Sequence, residues 1–213
     1  MIKAVLWDFG GVITSSPFEA FNRFEQSNGL PIDIIRKINS TNPETNAWAL
    51  LESSKISVDE FDQKFAEEAK HLGHAIGGAD VLSLLSGELR PEMINALRLI
   101  KAKLRIACIT NNVRTGKGPS MTRDPDKAAR VNEVMDLFDI VIESSKVGLR
   151  KPDPAIYKLA CSEMNIEPNE AVFLDDLGIN LKPAKALGMI TIKVLNASQA
   201  LNDLEEHLGF PLR

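Results

Sequence analysis

Four groups of polar residues follow short apolar runs, three of them directly, and their types together suit phosphoryl transfer. Asp8 follows Ile2–Trp7, and Thr110-Asn111-Asn112 follows Leu104–Ile109. Lys151 follows Ile140–Glu143 by way of Gly148-Leu149-Arg150, and Asp175-Asp176 follows Ala171–Leu174. A carboxylate can attack phosphorus and form an acyl phosphate. Mg2+ takes hard oxygens from one or two carboxylates, a substrate phosphate and water. An ammonium with hydroxyl or amide donors stabilises the equatorial phosphoryl oxygens. Each residue alone has an ordinary alternative: Asp8 as a turn or N-cap aspartate, Thr110-Asn111-Asn112 as a strand-to-loop turn. Lys151 before Pro152 alone would be a solvated lysine, and Asp175-Asp176 a cap followed by a turn. Only their joint placement, in a compatible order, points to one site.

That placement depends on the elements around them. The four apolar runs and a fifth, Ile190–Val194, read as buried strands ending in loops. Helical patterns over Glu92–Lys101, Lys127–Leu137, Ala155–Met164 and Leu181–Leu187 alternate with them. Such alternation predicts an α/β fold: a doubly wound, Rossmann-like parallel sheet covered on both faces, its active site beyond the carboxyl ends of the strands. One stretch breaks the pattern. Between the first and second strands lie about 90 residues without a strand signal. There Phe18–Ser27, Ile32–Ile38, Ala47–Glu52, Val58–His71 and Ala79–Leu85 read as helices, with Ser57 and Glu60 at capping-box spacing. The expected organisation is a small α-helical cap of residues 15–88 inserted after the first strand, on a core of residues 1–14 and 89–213. Arg114–Asp126 reads as a loop rich in glycine, proline and charge.

The order of these motifs resembles the haloacid dehalogenase-like hydrolase superfamily. Phe138-Asp-Ile-Val-Ile-Glu-Ser-Ser-Lys-Val-Gly-Leu-Arg-Lys-Pro-Asp-Pro-Ala-Ile-Tyr157 and Val172-Phe-Leu-Asp-Asp-Leu-Gly-Ile-Asn-Leu-Lys-Pro-Ala184 are similar to the N-terminal phosphatase domain of soluble epoxide hydrolases. Trp7-Asp-Phe-Gly-Gly-Val-Ile13 is nearer to the related domain at the front of certain acyl-CoA dehydrogenase family members. The resemblance implies that Asp8 is the nucleophile and a Mg2+ ligand, with Gly10 lending its backbone carbonyl to the metal. It implies that Thr110 and Asn111 hold the phosphoryl group and that Lys151 neutralises it and orients Asp8. Asp176 would complete the metal site, with Asp175 and Asn180 in support. The helical insertion would close over the substrate and select it.

One position departs from the family pattern. Phosphatases of this superfamily usually carry a second aspartate two residues after the nucleophile, to protonate the leaving alcohol and then activate water. Here that position is Gly10. General acid–base help is worth about 10²–10⁴-fold, so hydrolysis of poor leaving groups is expected to be slow. A metal-bound water, or a histidine of the insertion such as His71 or His74, would be a substitute.

Composition narrows the class further. The 213 residues carry 25 Lys+Arg against 29 Asp+Glu, a net charge of −4. A nucleic-acid partner is therefore disfavoured, because neutralising a phosphate backbone calls for excess positive charge. A chain of this size can bury roughly 70% of its unfolded surface, so no staple is needed. Cys108 and Cys161 are far apart and lie in apolar or helical patterns, which predicts buried free thiols and a reducing compartment. The opening MIKAVLWDFGG lacks an apolar signal core of about 7–15 residues, and no stretch approaches about 18 apolar residues. A cytoplasmic location without membrane contact is expected. Thr115-Gly-Lys-Gly lacks the order of a phosphate-binding loop, and Phe18, Phe21 and Phe24 at helical spacing read as a packing face.

The expected activity is Mg2+-dependent hydrolysis of a small phosphorylated metabolite through an aspartyl-phosphate on Asp8. The rivals are a haloacid-type dehalogenase using the same nucleophile, against which Asp175-Asp176 argues, and a catalytically weak phosphometabolite-binding module.

Overall fold

The computed structural model describes residues 1–112 and 124–213. Strands β1 (Ala4–Trp7), β2 (Arg105–Thr110), β3 (Ile140–Glu143), β4 (Ala171–Asp175) and β5 (Ile190–Lys193) form one parallel sheet in the order β3-β2-β1-β4-β5. The chain steps outward from β1 through β2 to β3, then crosses back to β4 on the other side. This reversal is where a doubly wound sheet opens a crevice beyond its strand ends.

Both faces are covered, which is why the strands read as unbroken apolar runs rather than alternating ones. Val5, Trp7, Ile106, Cys108, Val172 and Leu174 pack against α6 (Pro91–Lys101), α7 (Pro125–Met135) and α11 (Ala197–Leu208). Leu6, Ala107, Ile109 and Phe173 face α9 (Pro154–Met164) and α10 (Gly178–Ala186). The short α8 (Ser144–Val147) caps the end of β3. Cys108 and Cys161 are buried and unpaired, as expected. Neither α8 nor α11 was among the expected helices. Four residues are too few for a 3.6-residue period to show, and α11 begins at an Asn196 side-chain cap directly after β5 rather than beyond a distinct loop.

Between β1 and α6 the chain forms α1 (Pro17–Ser27), α2 (Ile34–Ser40), α3 (Ala47–Glu52), α4 (Val58–His71) and α5 (Gly78–Ser83). The Ser57–Glu60 capping box at the start of α4 is present in both directions. These helices enclose their own apolar cluster, in which Phe21, Phe61 and Phe65 are fully buried and Phe18 and Phe24 pack from its edge. Burying each such ring stabilises the cluster by about 1.5–3 kcal/mol. Glu25, also buried, accepts from the backbone N–H groups of Asp33 (2.7 Å) and Ile35 (2.9 Å), tying α1 to the start of α2.

The outgoing and returning chains run antiparallel at Thr14 and Leu89. Ser15 N donates to Glu88 O at 2.7 Å, and Arg90 N to Ile13 O at 2.9 Å. Glycine is required beside this crossing, since a Cβ on Gly87 would sit 2.4 Å from Ser15 O. No helix among the described residues is long and apolar enough to cross a membrane.

Candidate active site

The adjacency of β1 and β4 sets the site. Asp8 N donates to Leu174 O at 2.9 Å, so the ladder runs one residue past β1 and brings Asp8 beside Asp175. Asp8, Asp175 and Asp176 each place a carboxylate oxygen within 4.8 Å of the others. Lys151 Nζ lies 2.8 Å from Asp8 Oδ1 and 2.8 Å from Asp175 Oδ2. Its side chain is 1% exposed, so the solvated alternative for this lysine does not hold.

Neighbouring elements carry Lys151 there. Asn111, just beyond β2, accepts from Lys151 N (2.9 Å) through Oδ1 and donates to Lys151 O (2.9 Å) through Nδ2. The tips of β2 and β3 are joined in turn by Asn112, whose Nδ2 donates to Glu143 at 2.6 Å. Its Oδ1 accepts from the Ser145 hydroxyl at 2.8 Å. Thr110 ends β2 and is buried at this tip.

Asp175 is fully occupied by the protein. Its oxygens accept from Leu177 N (2.8 Å), from Asn180 Nδ2 (3.1 and 3.0 Å) and from Lys151. Asn180 is itself fixed by the Tyr157 hydroxyl, which donates to its backbone oxygen at 2.7 Å. Asp8 and Asp176 are less engaged. The Phe9 N–H and Lys151 both reach Asp8 through Oδ1, and Asp176 Oδ2 accepts from the Ser16 hydroxyl at 3.3 Å. The turn after Asp8 approaches Asp176 so closely that a Cβ on Gly11, whose φ is +77°, would lie 2.2 Å from its Oδ2. At Gly10 a Cβ would meet nothing within 4 Å.

Three carboxylates share one ammonium in a desolvated setting. Burial pushes Asp8 well above the usual carboxylate range, Asp175 and Asp176 add to this, and Lys151 offsets part of it. Burial and then Asp175 push Asp176 up to about 6. Burial works against the Lys151 ammonium, but Asp175 and Asp8 outweigh it and keep the group protonated. The cluster is short of positive charge, and a divalent cation would supply it.

The chain matches the family model for haloacid dehalogenase-like hydrolases over residues 2–188. It belongs to that family. Acyl-CoA dehydrogenase family member 10 of Mus musculus is 34% identical over 99% of this chain and 19% of its own length. Bifunctional epoxide hydrolase 2 of Mus musculus is 31% identical over 98% of the chain and 39% of its own length. The chain therefore spans well under half of each of these relatives. The phosphorylated carbohydrates phosphatase of Thermotoga maritima is 27% identical over 95% of the chain and 88% of its own length. Among solved structures, a haloacid dehalogenase-family enzyme of Bacteroides thetaiotaomicron, in complex with magnesium and inorganic phosphate, has the same fold. Its TM-score is 0.62 at 21% identity, over 96% of this chain and 99% of that one. The family makes the chain a hydrolase, and a relative that matches nearly all of it is a phosphatase by name.

Some anticipated residues sit elsewhere. His71 lines a cavity of about 210 Å³ inside the insertion with Ile38, Thr41, Asn42, Glu68 and Leu72, none of which belongs to the carboxylate cluster. His74 follows the same helix and is half-buried. Thr115-Gly-Lys-Gly lies outside the described residues. Residues that the sequence did not single out are Ser16, which reaches Asp176, and Glu52 at the end of α3. A lone acid closing an apolar helical run gives no sign of partners about 100 residues away.

Proposed function

We propose that the chain is a Mg2+-dependent phosphatase of small phosphate monoesters that works through an aspartyl-phosphate on Asp8. The observation that carries this reading is the buried Lys151 between Asp8 and Asp175, with Asp176 on the open side of the cluster. Lys151 fixes Asp8 through Oδ1 and leaves its other oxygen to attack phosphorus; the P–O bond to the leaving alcohol breaks as the acyl phosphate forms. Thr110 and the Asn111-anchored loop would hold the phosphoryl group at the tip of β2. Asp8, Asp176 and the Gly10 carbonyl would hold Mg2+, which supplies charge neutralisation at the phosphoryl oxygens. Asp175 is committed to Lys151 and Asn180 and serves as the frame. Residues 15–88 would act as a cap over this site. Their own apolar cluster, the crossing at Thr14 and Leu89 and the Ser16–Asp176 contact support that role.

The direct test is turnover of p-nitrophenyl phosphate and a panel of small phosphate monoesters with Mg2+ and with a chelator, alongside a 2-haloacid. Mg2+-dependent release of phosphate is expected. Metal-independent release of halide would favour the dehalogenase reading instead.

Gly10→Asp is expected to raise kcat/KM for an alkyl phosphate by up to about 10²–10⁴-fold, and much less for an aryl phosphate, which needs no proton on leaving. There is room for the new side chain at its base. An unchanged rate, with His71→Ala and His74→Ala inactive, would show that the acid is already present in the insertion.

Metal binding should titrate with Asp176. Its pKa is raised to about 6 from an ordinary value near 4, so the folded metal-free protein binds this proton more tightly than the unfolded chain. That stabilising contribution is complete below the ordinary value and is lost as pH rises through about 6. Mg2+ requires the ionised form. The rise in melting midpoint on adding Mg2+ is therefore expected to be small near pH 5 and to grow towards pH 7. An increment independent of pH would count against Asp176 as a ligand.

A further inference from the structure

Glu52 is a buried carboxylate in the insertion whose two partners outside its own helix, Arg150 and Asn111, both lead to Lys151. Its side chain is 8% exposed, and Trp48 Nε1, one turn back on α3, donates to its Oε1 at 2.9 Å. Its Oε2 accepts from Arg150 Nε at 2.8 Å and lies 2.5 Å from the second guanidinium nitrogen. Asn111 Nδ2 reaches the same oxygen at 3.5 Å. Arg150 is the residue before Lys151, and Asn111 holds the Lys151 peptide from both sides. Two further contacts seat this part of the insertion on the same loops. Arg150 donates to Pro43 O at 3.1 Å, and Ser54 Oγ donates to Ser145 O at 2.9 Å.

Stability alone is a poor reason for such a group. Burial raises the cost of ionising Glu52, with Arg150 and Trp48 offsetting part of it. Replacing a buried ion pair by apolar side chains of similar volume is often neutral or stabilising. What this ion pair does provide is a rigid, directional link from α3 to the backbone that carries Lys151. A misplacement of about 1 Å at a reacting group can cost about 10²-fold in rate.

We infer that Glu52 is a positioning residue: through Arg150 and Asn111 it makes the placement of Lys151, and hence the reactivity of Asp8, depend on the insertion being seated on the sheet. The inference rests on the phosphatase reading. Rapid-quench measurement of phosphoryl transfer from p-nitrophenyl phosphate to wild-type protein, Glu52→Gln, Arg150→Ala and the double variant tests it, with melting midpoints taken in parallel. Glu52→Gln should form the same amount of phosphoenzyme about ten- to a hundredfold more slowly. The double variant should be no slower than the slower single one, because both act on the same element.

A phosphoenzyme amplitude that falls while the rate holds would reveal a merely structural role and overturn the inference. So would additive losses. If Glu52→Gln does not fold, Arg150→Lys keeps the cation but loses the guanidinium fork, and the same slowing at full amplitude is expected. Failure of the two readings is distinguishable. A wild-type chain that forms no phosphoenzyme overturns both, whereas equal rates in wild-type and Glu52→Gln overturn only the role of Glu52.

Discussion

Lys151→Met is expected to lower the melting midpoint by roughly 6–20 °C and turnover by about 10²–10³-fold. The side chain is almost completely buried, and its ammonium is the cation that both Asp8 and Asp175 contact directly. Removing one partner of a buried ion pair costs about 3–5 kcal/mol, because the other is left desolvated and unpaired. In a chain of this size each kcal/mol moves the midpoint by about 2–4 °C. The sign of the pH dependence follows. Without Lys151 the Asp8 carboxyl loses the cation that offsets its burial and is pushed further above its unfolded value, so the variant loses stability as pH rises through the carboxylate range. The deficit against wild type should therefore be largest near neutrality and shrink towards about pH 4. Thermal melts across that range check it, and a uniform deficit would mean that packing, not charge, dominates.

Asp8→Asn is expected to have the opposite profile: turnover falls by at least about 10⁴-fold, with a melting midpoint equal to or above that of wild type. The amide is nearly isosteric and cannot serve as the nucleophile. It also removes one of three carboxylates that crowd a single ammonium, relieving the desolvation that pushes Asp8 up. Destabilised charge at a reacting site is a common source of such a trade between stability and activity. Steady-state assays and melts of the metal-free protein separate the two effects. Activity that survives the substitution would assign the chemistry to another group.

The frame of the molecule was legible because parallel strands buried on both faces leave a strong signature. Each of the five apolar runs became a strand within two residues of its expected limits. In the insertion, α3 and α4 start and stop where their patterns do, helped by the Asn46 cap and the Ser57–Glu60 capping box. Strand-end positions then brought Asp8, Lys151, Asp175, Asp176 and Asn180 to one place. The burial of Lys151 could not be read locally, since it depends on how Asn111 grips the loop from another strand.

The contacts between the insertion and the sheet were not legible at all. Glu52 and Arg150 are 98 residues apart, Ser16 and Asp176 160 apart, and neither pair leaves a periodic trace. Side chains of that kind are chosen by the seating of one unit on the other. For the same reason His71, attractive as a lone titratable group, turned out to line a cavity within the insertion.

The proposed mechanism requires a covalent phosphoryl group on Asp8. Wild-type protein mixed with Mg2+ and p-nitrophenyl phosphate, quenched in acid during turnover, digested and weighed by mass spectrometry tests it most directly. The peptide that contains Asp8 is expected to carry one phosphoryl group, and the corresponding peptide of Asp8→Asn none. Phosphate release without label on that peptide, or label that persists in Asp8→Asn, would contradict the account.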